Sequence, residues 1–329
     1  MSEERPHEII WRLTNAEIAS RCLHVVAEVG VADAIGDEPA TAAVLASACG
    51  VNPDALHRIL SLLADHGVFA RDGAGFSHTP ASQLLRTDHP MSMRAFPQMM
   101  GQPVFVELFN HLDYSMRTGE PALNAVEPRG LWAYYESRPE EARVFGQAMT
   151  AKAVGDIGSV LGAYDFSRFG VIADVGGGRG HLLRAVLDSA PDATGVLFDL
   201  PEVIGQLDFQ HERLTVQAGD FFLDPLPVAD AYLLMEVLHD WPDAEAVKIL
   251  GAVRRAAPTA ASVLVIENVL PDQDPDPRGH TLDVIMLAVT GGRERTPSQL
   301  AHLFNQAGFG EPTMTTTDGP LQIAQARPV

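Results

Sequence analysis

His239 sits in "LLMEVLHDWPDAEA", expected at the end of a strand and directly before a carboxylate, Asp240. Two more acids stand where few are expected. Glu267 closes the apolar run "VLVIENVLP", and Glu294 lies in "TGGRERTP", just ahead of a helical pattern. An imidazole with carboxylates placed to act on it is the equipment of a general base. Against a phenolic hydroxyl, an unassisted imidazole faces a gap of about 3.5 pKa units, or roughly 5 kcal/mol. Neighbouring carboxylates stabilise the imidazolium, fix its tautomer and narrow that gap.

A second constellation precedes it. "IADVGGGRGHLLRAV" places four glycines, Gly176, Gly177, Gly178 and Gly180, between a hydrophobic run and an amphipathic one. Such a turn admits a nucleotide at the N-terminus of a helix. The dinucleotide pattern GxGxxG is not met, because His181 stands in place of the third glycine. Asp174 also precedes the loop, where a carboxylate repels a pyrophosphate but suits the ammonium of an amino-acid moiety. The pattern D-x-G-x-G-x-G therefore favours S-adenosylmethionine (SAM) over NAD. Asp199, 21 residues after Gly178, is placed for ribose hydroxyls. Asp220 in "AGDFF" is placed for an adenine amino group, with Phe221 or Phe222 beside the ring.

These residues need a scaffold that gathers strand ends on one edge. From about residue 166 the chain alternates short apolar runs with helical ones. The strands read are "VIADV", "GVLFDL", "LTVQAG", "AYLLMEVL", "SVLVIENV" and "LQIAQA". This alternation predicts an α/β domain with a doubly wound, Rossmann-like parallel sheet over 166–329. "PDQDPDPRG" is too rich in proline for either element and reads as a loop. Residues 1–100 instead predict short helices and a hairpin around Asp72-Gly73-Ala74-Gly75, a winged-helix pattern. The first long helix is expected over Asn15–Ile35. Residues 101–165 read as a helical linker rich in aromatics and methionine.

Composition narrows the partners. The formal net charge is -20, which opposes nucleic acid. Residues 1–100 hold seven Lys/Arg against twelve Asp/Glu, so the winged helix lacks a DNA reader's basic footprint. Only Cys22 and Cys49 occur, without metal-ligand spacing, and neither a disulfide framework nor a metal site is expected. With no secretory signal and no long apolar run, a cytoplasmic protein without a membrane partner is expected.

Taken in order, "DVGGGRG", "FDLPEVI", "AGDFF", "LHDWPD", "ENVLP" and "GGRERTPSQLAHLFNQAGF" resemble the SAM-dependent small-molecule O-methyltransferases. That group includes plant caffeate and flavonoid enzymes and bacterial polyketide-tailoring ones. The resemblance implies a winged-helix dimerisation domain, a homodimer, a helical linker lining a pocket, and a catalytic domain using SAM without metal. It implies His239 as base with Glu267 and Glu294 flanking it, and Gly176, Asp199, Asp220 and Phe221 on the cofactor, beside the Asp174 and Gly178 of the glycine turn read above. Trp132 and Met149 fall at positions resembling the family's pocket lining for a small aromatic substrate, and Phe105 and Met286 are candidate additional walls that could equally serve the core. Where plant members carry a cofactor-contacting lysine, this chain has Met235. The family also includes relatives that methylate nitrogen, or hydroxylate or decarboxylate with SAM bound. A SAM-responsive winged-helix regulator is a further alternative.

Overall fold

The computed structural model describes residues 5–73, 75–207 and 209–329. They form two compact units, one of residues up to 107 with 132–152, the other of 108–131 with 153–329. The stretch 101–165 is thus shared between the two.

The N-terminal unit begins with α1 (Pro6–Val29), which starts earlier than its apolar spacing indicates. Pro6 and Glu8 explain the start, since proline and acid both suit a first helical turn. Gly30 ends it with φ 74. There follow β1 (Ala40–Thr41), α2 (Ala42–Cys49), α3 (Pro53–Asp65), β2 (Phe69–Asp72) and β3 (Gly75–His78). The Thr41 and Asn52 side chains cap α2 and α3 by accepting from Val44 N and Ala55 N. Leu56, Leu60 and Leu63 make α3's buried stripe, against Leu45, Phe69 and Phe76. The strands pair antiparallel in the order β1-β3-β2, completing the winged helix.

The second unit carries a seven-stranded sheet in the order β6-β5-β4-β7-β8-β10-β9. Its parallel members are β4 (Val171–Val175), β5 (Thr194–Asp199), β6 (Leu214–Ala218), β7 (Ala231–Met235) and β8 (Ser262–Asn268). β10 (Leu321–Ala326) runs antiparallel between β8 and β9 (Thr313–Thr316). Burial on both faces explains the unbroken apolar runs of the central strands. Helix α4 (His181–Ser189) packs on one face through Leu183, Val186 and Leu187. On the other lie α5 (Asp243–Ala256) and α7 (Pro297–Gln306), through Ile249, Val253, Leu303 and Phe304.

Two expectations need correction. β7 stops at Met235, so His239 is not at a strand end but in a 3₁₀ turn, Leu238–Asp240. Glu236 breaks the strand, with φ 53, the one non-glycine residue at positive φ among those described. The proline-rich loop also ends sooner than expected. Helix α6 (Pro277–Val289) takes its last residues, capped by Asp276, whose Oδ1 accepts from Gly279 N. Among the described residues no helix is long and apolar enough to cross a membrane.

Candidate active site

The glycine loop joins β4 to α4, and each glycine has a local reason. Gly176, Gly178 and Gly180 adopt φ of 70, 59 and 70, a region that side chains disfavour. A Cβ on Gly177 would lie 2.5 Å from Asp174 Cγ, so the carboxyl group sits directly beneath the loop. A Cβ on Gly178 would meet nothing within 4 Å, leaving its outer side open.

Asp174 is 1% exposed, and neither carboxylate oxygen has a hydrogen-bond partner. Burial, reinforced by the charge of Asp199 and opposed by the Leu183 amide, pushes the acid up to about 7. A buried, unpartnered carboxylate is costly unless a cation meets it. The site therefore fits a group carrying an ammonium beside the loop.

Asp199 ends β5 and turns back on the loop. Its Oδ2 accepts from Gly178 N at 2.7 Å and its Oδ1 from Leu200 N at 2.7 Å. Burial raises its pKa, against those two amides. Asp220 is held in its turn, with Oδ1 accepting from Phe222 N at 2.8 Å. The Phe221 ring reaches the loop, 3.8 Å from where a Cβ on Gly176 would stand. Phe221 also lines an open cavity of about 500 Å³ with Phe222, Trp241, Glu245, Lys248 and Arg255.

The turn carrying His239 packs against this loop, because Val237 Cγ2 lies 3.0 Å from the Gly176 Cβ position. His239 is 6% exposed, with Nδ1 2.8 Å from Glu294 Oε1. A carboxylate only accepts, so Nδ1 carries the proton and Nε2 is the basic nitrogen. Nε2 lies 3.8 Å from Asp240 Oδ1. Burial alone lowers the histidine's pKa. The Glu294 hydrogen bond, with the charges of Asp240 and Glu267, outweighs it and carries the group up to about 9. Glu267 acts differently from Glu294. Its Oε1 accepts from the His239 backbone N at 3.0 Å, so it braces the turn rather than the ring. Burial pushes Glu267 up to about 7, against the pull of His239 and Arg295.

The four candidate wall residues fall in different units. Phe105, Trp132 and Met149 belong to the N-terminal unit, and Met286 to the second. Phe105 is buried, whereas Trp132 is 70% exposed, with its ring edge-on to Phe145 at 5.6 Å. Met149 is half-buried on the helix Pro139–Ala163, and Met286 is buried on α6. Met235, at the position of the plant lysine, packs into the core beside the α4 face of the sheet.

Three participants escape the sequence reading. Asp283 on α6 accepts from Glu294 N at 2.9 Å, Arg295 grips the His239 turn, and Glu236 redirects the chain into it. The "RER" triplet around Glu294 is the one sequence signal that could have drawn attention to Arg295.

A Rossmann-like sheet, a glycine loop over an orphaned carboxylate and a carboxylate-backed histidine together define a SAM-dependent methyltransferase. The family model described as O-methyltransferase domain matches residues 109–310, and the O-methyltransferase dimerisation domain matches residues 11–88. The chain belongs to this O-methyltransferase family. It is 37% identical over 343 aligned positions to the O-demethylpuromycin-O-methyltransferase of Streptomyces alboniger, covering 100% of this chain and 90% of that one. Among solved structures, CalO1, a methyltransferase in calicheamicin biosynthesis in its SAH-bound form, superposes with a TM-score of 0.91 at 32% identity, covering 100% of both chains. NcsB1, an O-methyltransferase from neocarzinostatin biosynthesis in complex with SAM and 2-hydroxy-5-methyl naphthoic acid, superposes with a TM-score of 0.75 at 33% identity, covering 94% of this chain and 96% of that one.

Proposed function

We propose that the protein transfers the methyl group of SAM to a hydroxyl of a small aromatic metabolite, with His239 as general base. The observation that carries this is the 2.8 Å pair of His239 Nδ1 and Glu294 Oε1, on a turn that packs against the glycine loop. When bound, the sulfonium supplies an already activated methyl carbon. Asp174 receives the ammonium of the amino-acid moiety. Gly176 and Gly178 bring the backbone close, and Asp199 keeps lone pairs for ribose hydroxyls beyond those it gives to the loop. Asp220 and Phe221 hold the adenine. His239 Nε2 takes the hydroxyl proton, and Glu294 accepts from Nδ1–H and stabilises the imidazolium. With the imidazole near 9, the gap to a phenol shrinks to about 1 unit. A cation at the glycine loop opposes a second one on the ring, releasing the base below that value. Trp132 and Met149, with Phe105 and Met286 as further candidates, are proposed as residues that meet the aromatic acceptor, each a flat or soft group suited to a planar ring.

The enzyme is proposed to work as a homodimer through its N-terminal unit. A cytoplasmic setting fits the two free thiols, Cys22 and Cys49.

The test is methyl transfer from labelled SAM to a panel of phenols, beginning with 2-hydroxy-5-methyl naphthoic acid, read by mass spectrometry. His239→Gln is expected to slow turnover by about 10²–10⁴-fold, while S-adenosylhomocysteine affinity changes less than about threefold. The wild-type rate is expected to rise with pH between about 7 and 9, as the neutral imidazole appears. Undiminished turnover in the variant removes His239 from the mechanism. Methyl gain on amines alone establishes nitrogen transfer instead.

A further inference from the structure

The bulkiest fully buried side chain described is a charged one, Arg295, which is 1% exposed. Its guanidinium donates in three directions. Nη1 donates to Leu238 O at 2.9 Å, Nη2 to Trp241 O at 2.7 Å, and Nε to Asp243 Oδ1 at 3.0 Å. Leu238 and Trp241 bracket His239, so one planar fork fixes both ends of the turn that carries it. The adjoining residues act on the same turn. Arg293 N donates to His239 O at 2.8 Å, and Gly292 lies so close that a Cβ would stand 1.9 Å from that oxygen. Glu294 in the same segment meets the imidazole. The segment is itself anchored to the end of β8, where Leu270 N donates to Arg295 O at 2.9 Å.

We propose that Arg295 is a positioning residue, whose fork holds the 238–241 turn so that the His239 imidazole meets Glu294. The inference rests on the reading of His239 as the base. Arginine suits the task because its planar donors match several acceptors at fixed angles, whereas a lysine ammonium is a point charge on a flexible stem. A buried ion pair kept only for stability would be weakly motivated, since desolvation offsets much of its attraction. Two of the three acceptors are instead backbone carbonyls flanking the proposed base, and Asp243 is half-exposed.

The experiment is a ¹H–¹³C NMR titration of the His239 ring in the full-length protein, assigned by difference with His239→Gln. The wild-type ring is expected to titrate near 9. Arg295→Lys keeps the charge but not the fork, and its ring is expected to titrate about one unit lower or more, as the Glu294 bond loosens. Arg295→Gln separates positioning from charge. Losing a nearby cation alone raises a histidine's pKa, whereas losing the Glu294 contact lowers it, and a lower value is expected. S-adenosylhomocysteine affinity in Arg295→Lys, measured by calorimetry, is expected to stay within about twofold, because the fork makes no contact with the glycine loop. A wild-type titration in Arg295→Lys, or a raised one in Arg295→Gln, overturns the proposal. Should neither variant fold, Asp243→Ala decides, since it removes the Nε acceptor at a half-exposed position: a smaller downward shift supports the proposal and an unchanged titration overturns it. Undiminished turnover of His239→Gln in the phenol panel would sink the general-base reading while leaving these titrations legible, so the two failures are separable.

Discussion

Neither oxygen of Asp174 meets a hydrogen-bond partner, and burial holds the acid near 7 rather than at its ordinary 3.8. That is a standing cost to the ligand-free fold and a standing attraction for an ammonium. Asp174→Asn is expected to separate the two. At pH 8 it should raise the ligand-free melting temperature by about 2–4 °C for each kcal/mol of relieved burial cost. It should also weaken S-adenosylhomocysteine binding by at least about tenfold, the scale of one lost charge-assisted hydrogen bond. Scanning fluorimetry and calorimetry measure both; unchanged affinity would remove Asp174 from the cofactor site. Chemistry-bearing residue types were legible in the sequence at this scale, whereas their contacts were not. Glu267 and Glu294 read alike as acids near His239, yet one holds its backbone N–H and the other its ring. Only the three-dimensional path of the 292–295 segment separates them.

Helix α1 shows the same limit for elements. It leaves Ile10, Trp11, Leu13, Ile18 and Val25 at 66%, 72%, 60%, 53% and 43% exposure. Trp11, Ile18 and Val25 recur at sevens, so they share one face. An apolar stripe of this length on a surface helix marks an association face. With the dimerisation domain matched over residues 11–88, a second copy is the proposed occupant. Trp11→Asp is expected to raise the dimer dissociation constant by about 30-fold or more, as for a buried aromatic anchor. Sedimentation velocity across a concentration series reads it, and an unchanged dimer would place the interface elsewhere. The central strands were found from their apolar runs because burial on both faces forces such runs. β9 was not, because "TMTT" lies on the sheet edge with little to bury. Nor was α6, hidden behind a proline-rich loop whose last proline in fact starts the helix. The break after Met235 depends on a left-handed glutamate, which no propensity announces.

Over the whole molecule, Asp199 and three more deeply buried groups near the site bind protons more tightly than in the unfolded chain. Asp174 and Glu267 are pushed up to about 7 from 3.8 and 4.5, and His239 to about 9 from 6.5. A raised pKa means that the folded state holds the proton at a pH where the unfolded state has released it. The stability that each contributes is therefore complete below its ordinary value and is lost as pH rises through its folded value. The two carboxyl groups place one window of loss between about 4 and 7, and the histidine a second between about 6.5 and 9. A formal charge of -20 pushes the same way, since every further deprotonation adds to self-repulsion. The ligand-free melting temperature is accordingly expected to fall steadily from pH 6 to pH 9.5, at fixed protein concentration and ionic strength. Asp174→Asn and Glu267→Gln should each flatten the part below about 7.5, and His239→Gln the part above it. Saturating S-adenosylhomocysteine should mimic the first of these changes, because an ammonium against Asp174 favours its ionised form. A flat or rising wild-type curve over this range would mean that these groups are solvated in the folded chain, and would remove the electrostatic basis for both the cofactor carboxylate and the base.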